Sequence, residues 1–394
     1  MPAYKWLILA VAWTLFGALF FSWYAMGTLA VLLMELYQMD QTQYSICFTL
    51  PWLVAGILAF PSGIVADKIG VRMTATAGAL ITAFGTLLKA FSIEYSALIV
   101  AQILVGIGLG TALVNLPKLI NAWFPPQQVG LATGLYMTAM MIWLSLGMTL
   151  APFFQSWSSL NLVGGILTIL AVVLFVAIVR DAPAGVVIPK ANVIEGAKNS
   201  LKNKAIWGAA LGTFVAMSGM VPFQALFPTA AFFEKGIDVA TAGAIVAMIT
   251  WAGCIGSFVF PAISAKTGGV KLYIILLSLS FSVLVYVGWI LGSVPILWAT
   301  ITLAGFLAGG VIPHWMALPA YLPAVDQKMK PEWIGGAAGL LNTFLCIGAF
   351  ISTPFIIAPI ATASGFTTAF GISALLFAIQ GMFALLILEP PKRK

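Results

Sequence analysis

The sequence predicts an all-α membrane protein with twelve transmembrane helices arranged as two six-helix, pseudo-symmetric bundles. Three observations carry that prediction. Of 394 residues, 62% are hydrophobic and 7% charged, against about 25% charged in an ordinary soluble domain. Charge-free stretches recur at the length of about 20 residues that crosses a bilayer. Segments about half a chain apart also repeat one another. A water-soluble fold lacks the polar surface to cover such a chain.

The spans follow in order. Single-helix stretches run over 6–34, 44–66, 73–91, 96–121, 205–233 and 239–265. Longer uncharged runs at 119–179, 272–325 and 333–388 each hold two helices, broken at 155–159, 292–295 and 361–365, where polar, Gly or Pro residues interrupt. The fourth helix overlaps the first of these runs, so the total is twelve. Lys5 precedes the first apolar run as in a signal peptide. That run is too long for a signal h-region and predicts a retained helix.

The formal net charge of +7 is not a nucleic-acid signature, because Lys and Arg lie in short clusters between apolar runs. Lys68, Arg72, Arg180, Lys190, Lys266, Lys271 and the terminal Lys392, Arg393 and Lys394 fall on one side of the predicted topology. Lys89 and Lys235 fall on the other. Positive loops face the cytoplasm, so both termini are expected there, in the cytoplasmic (inner) membrane. The longest hydrophilic segment divides the chain into an N-terminal bundle (1–180), a cytoplasmic linker (181–203) and a C-terminal bundle (204–394). Cys47, Cys254 and Cys346 have no metal-ligand spacing and read as buried thiols.

The repeat is visible in two places. The segment 129–138, VGLATGLYMT, matches 334–343, IGGAAGLLNT, at five of ten positions. The loop after the second helix, with Phe60-Pro61 before it, has a degraded copy after the eighth, with Phe260-Pro261 before it. Parallel repeats of this kind characterise transporters whose halves rock around a site at their interface. Gly106 and Gly110, Gly130 and Gly134, and Gly335 and Gly339 share a four-residue spacing that lets helices approach closely.

The segment Gly63-Ile64-Val65-Ala66-Asp67-Lys68-Ile69-Gly70-Val71-Arg72 resembles the signature loop between helices two and three of the major facilitator superfamily. It matches every position of that pattern. The resemblance implies the family's fold over the whole chain and secondary active transport by alternating access. It also implies a conformational gate at Gly63, Asp67, Lys68, Gly70 and Arg72, with the Asp bracing helix eleven. Physically, Gly63 leaves room for a neighbouring helix, Asp67 can face a helix N-terminus, and Arg72 can pair with Asp67. The region 116–135 is similar to anion-carrying branches such as cyanate, nitrate/nitrite and organic-anion porters. The Arg residues of the nitrate/nitrite porters are missing from helices two and eight, and the drug exporters' Gly-Pro motif is not reproduced in 140–152.

Ionisable residues inside spans are costly and so draw attention. Lys118 and Asn115 share a face of the fourth helix, and His314, the sole histidine, lies in the tenth. Lys118 either snorkels to headgroups or meets a solute. His314 either packs as a neutral ring or carries a coupling proton. Trp13 and Tyr24 in helix one, Tyr136 in helix five, Gln224 in helix seven and Asn342 in helix eleven complete the candidate substrate-binding set. The expected function is transport of a small anionic solute, with a coupling proton or counter-ion, by a monomer in a lipid bilayer. An exporter of hydrophobic or cationic compounds and a non-transporting receptor or partner subunit are the alternatives. No paired acid and base, metal cluster, cofactor motif or nucleophile triad is apparent, so no enzyme, metal, cofactor or nucleic-acid partner is expected.

Overall fold

The computed structural model describes residues 2–183, 193–326 and 328–390. Among the described residues the secondary structure is helical, without strands. Among the described residues, twelve helices are long and apolar enough to cross a membrane: α1 Tyr4–Thr28, α2 Gln41–Ile69, α3 Val71–Phe91, α4 Tyr95–Trp123, α5 Leu131–Phe153, α6 Trp157–Ile178, α7 Lys204–Lys235, α8 Val239–Thr267, α9 Val270–Leu291, α10 Val294–Val325, α11 Ile334–Ser364 and α12 Phe366–Leu386.

The predicted breaks have local causes. Between α5 and α6, Ser156 and Ser159 form a reciprocal capping box, each side chain accepting the other's backbone N–H at 3.1 Å. Gly292 and Gly365 end α9 and α11 at φ of +68° and +82°, which residues with a Cβ rarely adopt. The predicted first helix is longer than the observed one: α1 ends at Thr28, and a short helix, Ala30–Leu36, follows. Two spans are irregular. Gly310 interrupts α10, and α11 contains a five-residue π segment, Thr353–Ile357, that includes Pro354.

The chain separates into two compact units, Met1–Met39 with Leu50–Lys190, and Asp40–Thr49 with Ala191–Lys394. In the first, α1 packs on α5 and α6, and α3 on α4 and α6. In the second, α7 packs on α11 and α12, and α9 on α10 and α12. The small-residue spacing read at Gly106 and Gly110 sits against Pro51, Val54 and Ala55 of α2; a Cβ on Gly106 would lie 2.6 Å from that of Val54. Gly305 and Gly309 do the same in α10 against Ile249 and Gly253 of α8, where a Cβ on Gly309 would meet the Gly253 carbonyl at 2.1 Å. These backbones touch because side chains are missing.

Within the hydrophilic joint, residues 184–192, including Lys190, lie outside the described residues, as do Lys392, Arg393 and Lys394. Val193–Ser200 forms a helix that packs on α11. The sequence reading missed it because it sought apolar runs of bilayer length, and this segment is eight residues long with Glu195, Lys198 and Asn199 among them.

The structure extends the repeat beyond the residues that revealed it. Asp181, after α6, accepts the Arg72 backbone N–H at 2.7 Å and so caps the first turn of α3. Glu389, after α12, accepts those of Val270 and Lys271 at 2.8 and 3.1 Å and caps α9. A carboxylate at a helix N-terminus satisfies orphan donors and complements the helix dipole.

Candidate functional site

Gly70 separates α2 from α3 at φ +95°, so the glycine of the signature loop answers a backbone requirement. The turn places Asp67 in the last turn of α2, facing α4. There Lys118 Nζ lies 3.0 Å from Asp67 Oδ1 and 3.4 Å from the Gly63 carbonyl oxygen. Each side chain of the pair is 20% exposed.

This geometry corrects two physical readings of the loop. The Asp67 partner is Lys118 instead of Arg72, whose Nη2 donates to the Val176 carbonyl of α6. The room at Gly63 is also not needed for contact: a Cβ there would sit 3.7 Å from Lys118 Nζ and Val114 Cγ1, an ordinary distance. Lys68 is exposed. Pro117 precedes Lys118 within α4 and removes one helical donor, which loosens the turn that carries the ammonium.

One turn before Lys118, Asn115 is fully buried, and its Nδ2 donates to Thr111 O at 2.9 Å and Ser62 O at 3.4 Å. Its Oδ1 has no hydrogen-bond partner among the described residues. Tyr136 is also fully buried, its ring stacked on Phe16 at 4.6 Å and its hydroxyl unbonded. Trp13 Nε1 donates to Thr138 Oγ1 at 2.9 Å, and Tyr24 OH accepts from Trp52 Nε1 at 3.2 Å.

In the second unit, His314 is 4% exposed. Its Nε2 lies 2.8 Å from Ser264 Oγ, its Nδ1 bonds the Gly310 carbonyl, and its ring is parallel to Tyr273. Gln224 is buried in α7 with Nε2 unbonded. Asn342 is half-buried and donates to the Ala338 carbonyl at 3.2 Å.

The sequence reading missed three features. Lys89, assigned to a loop, is completely buried, its Nζ 3.4 Å from Ser22 Oγ and 5.7 Å from the Trp157 ring centre. Its position two residues from the end of α3 made it look like a terminal charge. Ser264 carried no signal as the partner of His314, because helix proximity between α8 and α10 is not written locally. Cys254, read as a buried thiol, is only partly buried, unlike Cys47 and Cys346. No group of His, Cys, Asp and Glu suited to a metal occurs among the described residues.

Twelve apolar spans in two related sets, in which every Asp, Glu, Lys and Arg described within a span, except Lys118, lies within a turn of its end, define a multi-pass integral membrane protein of the transporter class. The Major Facilitator Superfamily profile matches residues 11–353, and the chain belongs to that superfamily. It is 29% identical to the 4-hydroxybenzoate transporter PcaK of Acinetobacter baylyi over 42% of this chain and 37% of that protein. It thus matches little more than a third of that relative's length. Identity to the hexuronate transporter of Bacillus subtilis is 23%, over 83% of this chain and 82% of that protein. A bacterial homologue of the human lysosomal transporter Spinster, solved inward-facing and unoccupied, shares the fold with a TM-score of 0.76 at 13% identity, covering 98% of this chain and 97% of that one. The family and these relatives are transporters, not enzymes.

Proposed function

We propose that this chain carries a small anionic solute across the cytoplasmic membrane by alternating access, with Lys118 as a contact for the solute's negative group. One observation carries the reading. Among the described residues, Lys118 is the only Asp, Glu, Lys or Arg side chain more than one turn inside a span. A charge held at that depth is costly unless it has a task. The solutes named for the two relatives, hexuronate and 4-hydroxybenzoate, are carboxylates, which supports the same sign of charge.

The ion pair suggests how binding engages the gate. An anion reaching Nζ competes with Asp67 Oδ1 for the same donors, so solute binding loosens the hold of α4 on the signature loop (Gly63, Asp67, Lys68, Gly70, Arg72). Orphan atoms in each unit support polar contacts: Asn115 Oδ1 and the Tyr136 hydroxyl in the first, and, separately, Gln224 Nε2 in the second. Each costs about 1 to 3 kcal/mol while buried and unbonded, and a polar solute would relieve that cost. Trp13, Tyr24 and Asn342 already bond within the protein and contribute shape. Both termini are cytoplasmic in this reading, 1–180 and 204–394 are the moving bundles, and the monomer is the working unit.

The test is uptake into sealed proteoliposomes of glucuronate, 4-hydroxybenzoate and nitrate, beside the lipophilic cation tetraphenylphosphonium. Saturable flux of at least one anion is expected. Folded protein that moves no anion, or that moves the cation instead, would overturn the proposal.

A further inference from the structure

The repeat places His314 and Asn115 in equivalent positions. Gly106 and Gly110 of α4 correspond to Gly305 and Gly309 of α10 in both spacing and packing, and the same offset carries residue 115 to 314. The two side chains also behave alike. Asn115 Nδ2 donates to the carbonyl four residues back, Thr111, and reaches Ser62 of α2. His314 Nδ1 bonds the carbonyl four residues back, Gly310, and the far side of the ring reaches Ser264 of α8. Only the second copy can titrate.

A carbonyl oxygen only accepts, so Nδ1 carries a hydrogen in both the neutral and the charged ring. Neutral His314 is therefore the Nδ1–H tautomer, with the Nε2 lone pair facing Ser264 Oγ. That hydroxyl has two acceptors within reach: His314 Nε2 at 2.8 Å and the Pro261 carbonyl at 3.1 Å. When the ring is neutral, Ser264 donates to Nε2. When Nε2 is protonated, the hydroxyl turns to Pro261 and its oxygen accepts from Nε2–H. Neither state strands a buried polar atom, the usual penalty for titrating a group inside a protein.

Burial works against the charged ring, which is why its hydrogen bonds matter. Tyr273 of α9 presents a parallel ring 6.1 Å away, α8 presents the Ser264 hydroxyl, and the nearby acid is Glu389, beyond α12, held by the Val270 and Lys271 amides. One turn beyond Ser264, about 4.5 Å along the axis, exposed Thr267 bonds the Tyr273 hydroxyl at 3.1 Å. Hydroxyl groups thus lead from the ring towards the exposed end of α8.

We propose that His314, with Ser264 as a hydroxyl rotor, is a reversible proton-binding site built into the second bundle. Its use as the coupling site rests on the transport reading above, whereas the site itself does not. Because the chain has a single histidine, histidine-selective 15N NMR of tag-free protein in nanodiscs reports on it without ambiguity. At high pH the expected spectrum is that of the Nδ1–H tautomer. On acidification between about pH 8 and 5 both nitrogens become protonated, reversibly. Ser264→Ala removes the Nε2 partner in both states, and because the bond to the charged ring is the stronger, the midpoint falls by about half to one pH unit. A wild-type ring that stays neutral throughout overturns the proposal, with no need of the variant. An unmoved midpoint in folded Ser264→Ala overturns the rotor. Absence of anion flux in proteoliposomes with a titrating ring sinks the transport reading and leaves the proton site standing.

Discussion

Substitution at the two ends of the Lys118–Asp67 pair should move anion affinity in opposite directions. The ammonium and carboxylate are 3.0 Å apart and each 20% exposed, so the attraction stands at the upper end of the 0 to 1 kcal/mol range of a surface pair, about 1 kcal/mol. Lys118→Gln removes the charge that would bind the solute, and a charge-assisted contact of roughly 1.5 to 3 kcal/mol corresponds to about a 10- to 100-fold loss of affinity. Asp67→Asn removes the internal competitor instead, and about 1 kcal/mol returned to Lys118 tightens binding roughly fivefold. The double variant should bind as weakly as Lys118→Gln alone, because without the ammonium there is nothing to release. Calorimetric titration of detergent-purified protein with the anion that gives the best proteoliposome flux measures all four affinities. If the pair merely ties α2 to α4, both single variants change affinity in the same direction or not at all. Wild-type affinity in folded Lys118→Gln would falsify the anion site.

Three further outcomes follow from the geometry. Tyr136→Phe removes a buried, unbonded hydroxyl, so thermal stability should hold or rise slightly while anion affinity falls about fivefold; a drop in stability at full affinity would show that the hydroxyl is structural. Gly309→Ala forces a methyl group to within 2.1 Å of the Gly253 carbonyl and should cost about 1 to 3 kcal/mol in denaturant unfolding, whereas Gly63→Ala, with 3.7 Å of clearance, should unfold like wild type. Asp238, ahead of α8, is held below the usual carboxylate range by the Thr241 side chain and then by the Thr241 backbone N–H it caps. Its contribution is therefore present at neutral pH and lost as pH falls through that lowered value. Because the group is exposed, Asp238→Ala should cost only about 0.5 kcal/mol at pH 7 and nothing at strongly acidic pH.

Much of the fold was legible because hydrophobic length is a local property. The spans, their breaks at Ser156, Gly292 and Gly365, and the glycine at φ +95° in the signature loop each follow from a handful of neighbouring residues. The joint was less legible, since the helix Val193–Ser200 is short and polar and a search for apolar runs of bilayer length passes over it. Site pairings were least legible. Lys118 was found by its depth in an apolar run, but its partner stands 51 residues away across a turn whose direction no local pattern fixes. Ser264 and Lys89 were missed for the same reason: what they touch depends on which helices become neighbours.

The acids that cap α3 and α9 bear on how this protein can be cut and fused. Asp181 and Glu389 lie just past the last span of their bundles, where a designer would place a split site or a fluorescent tag. A first half terminated at Val179, or a fusion that trims the chain at Leu388, keeps all six of its spans yet leaves the opening turn of α3 or α9 without its acceptor. Split junctions belong after Asp181, and tags beyond Glu389.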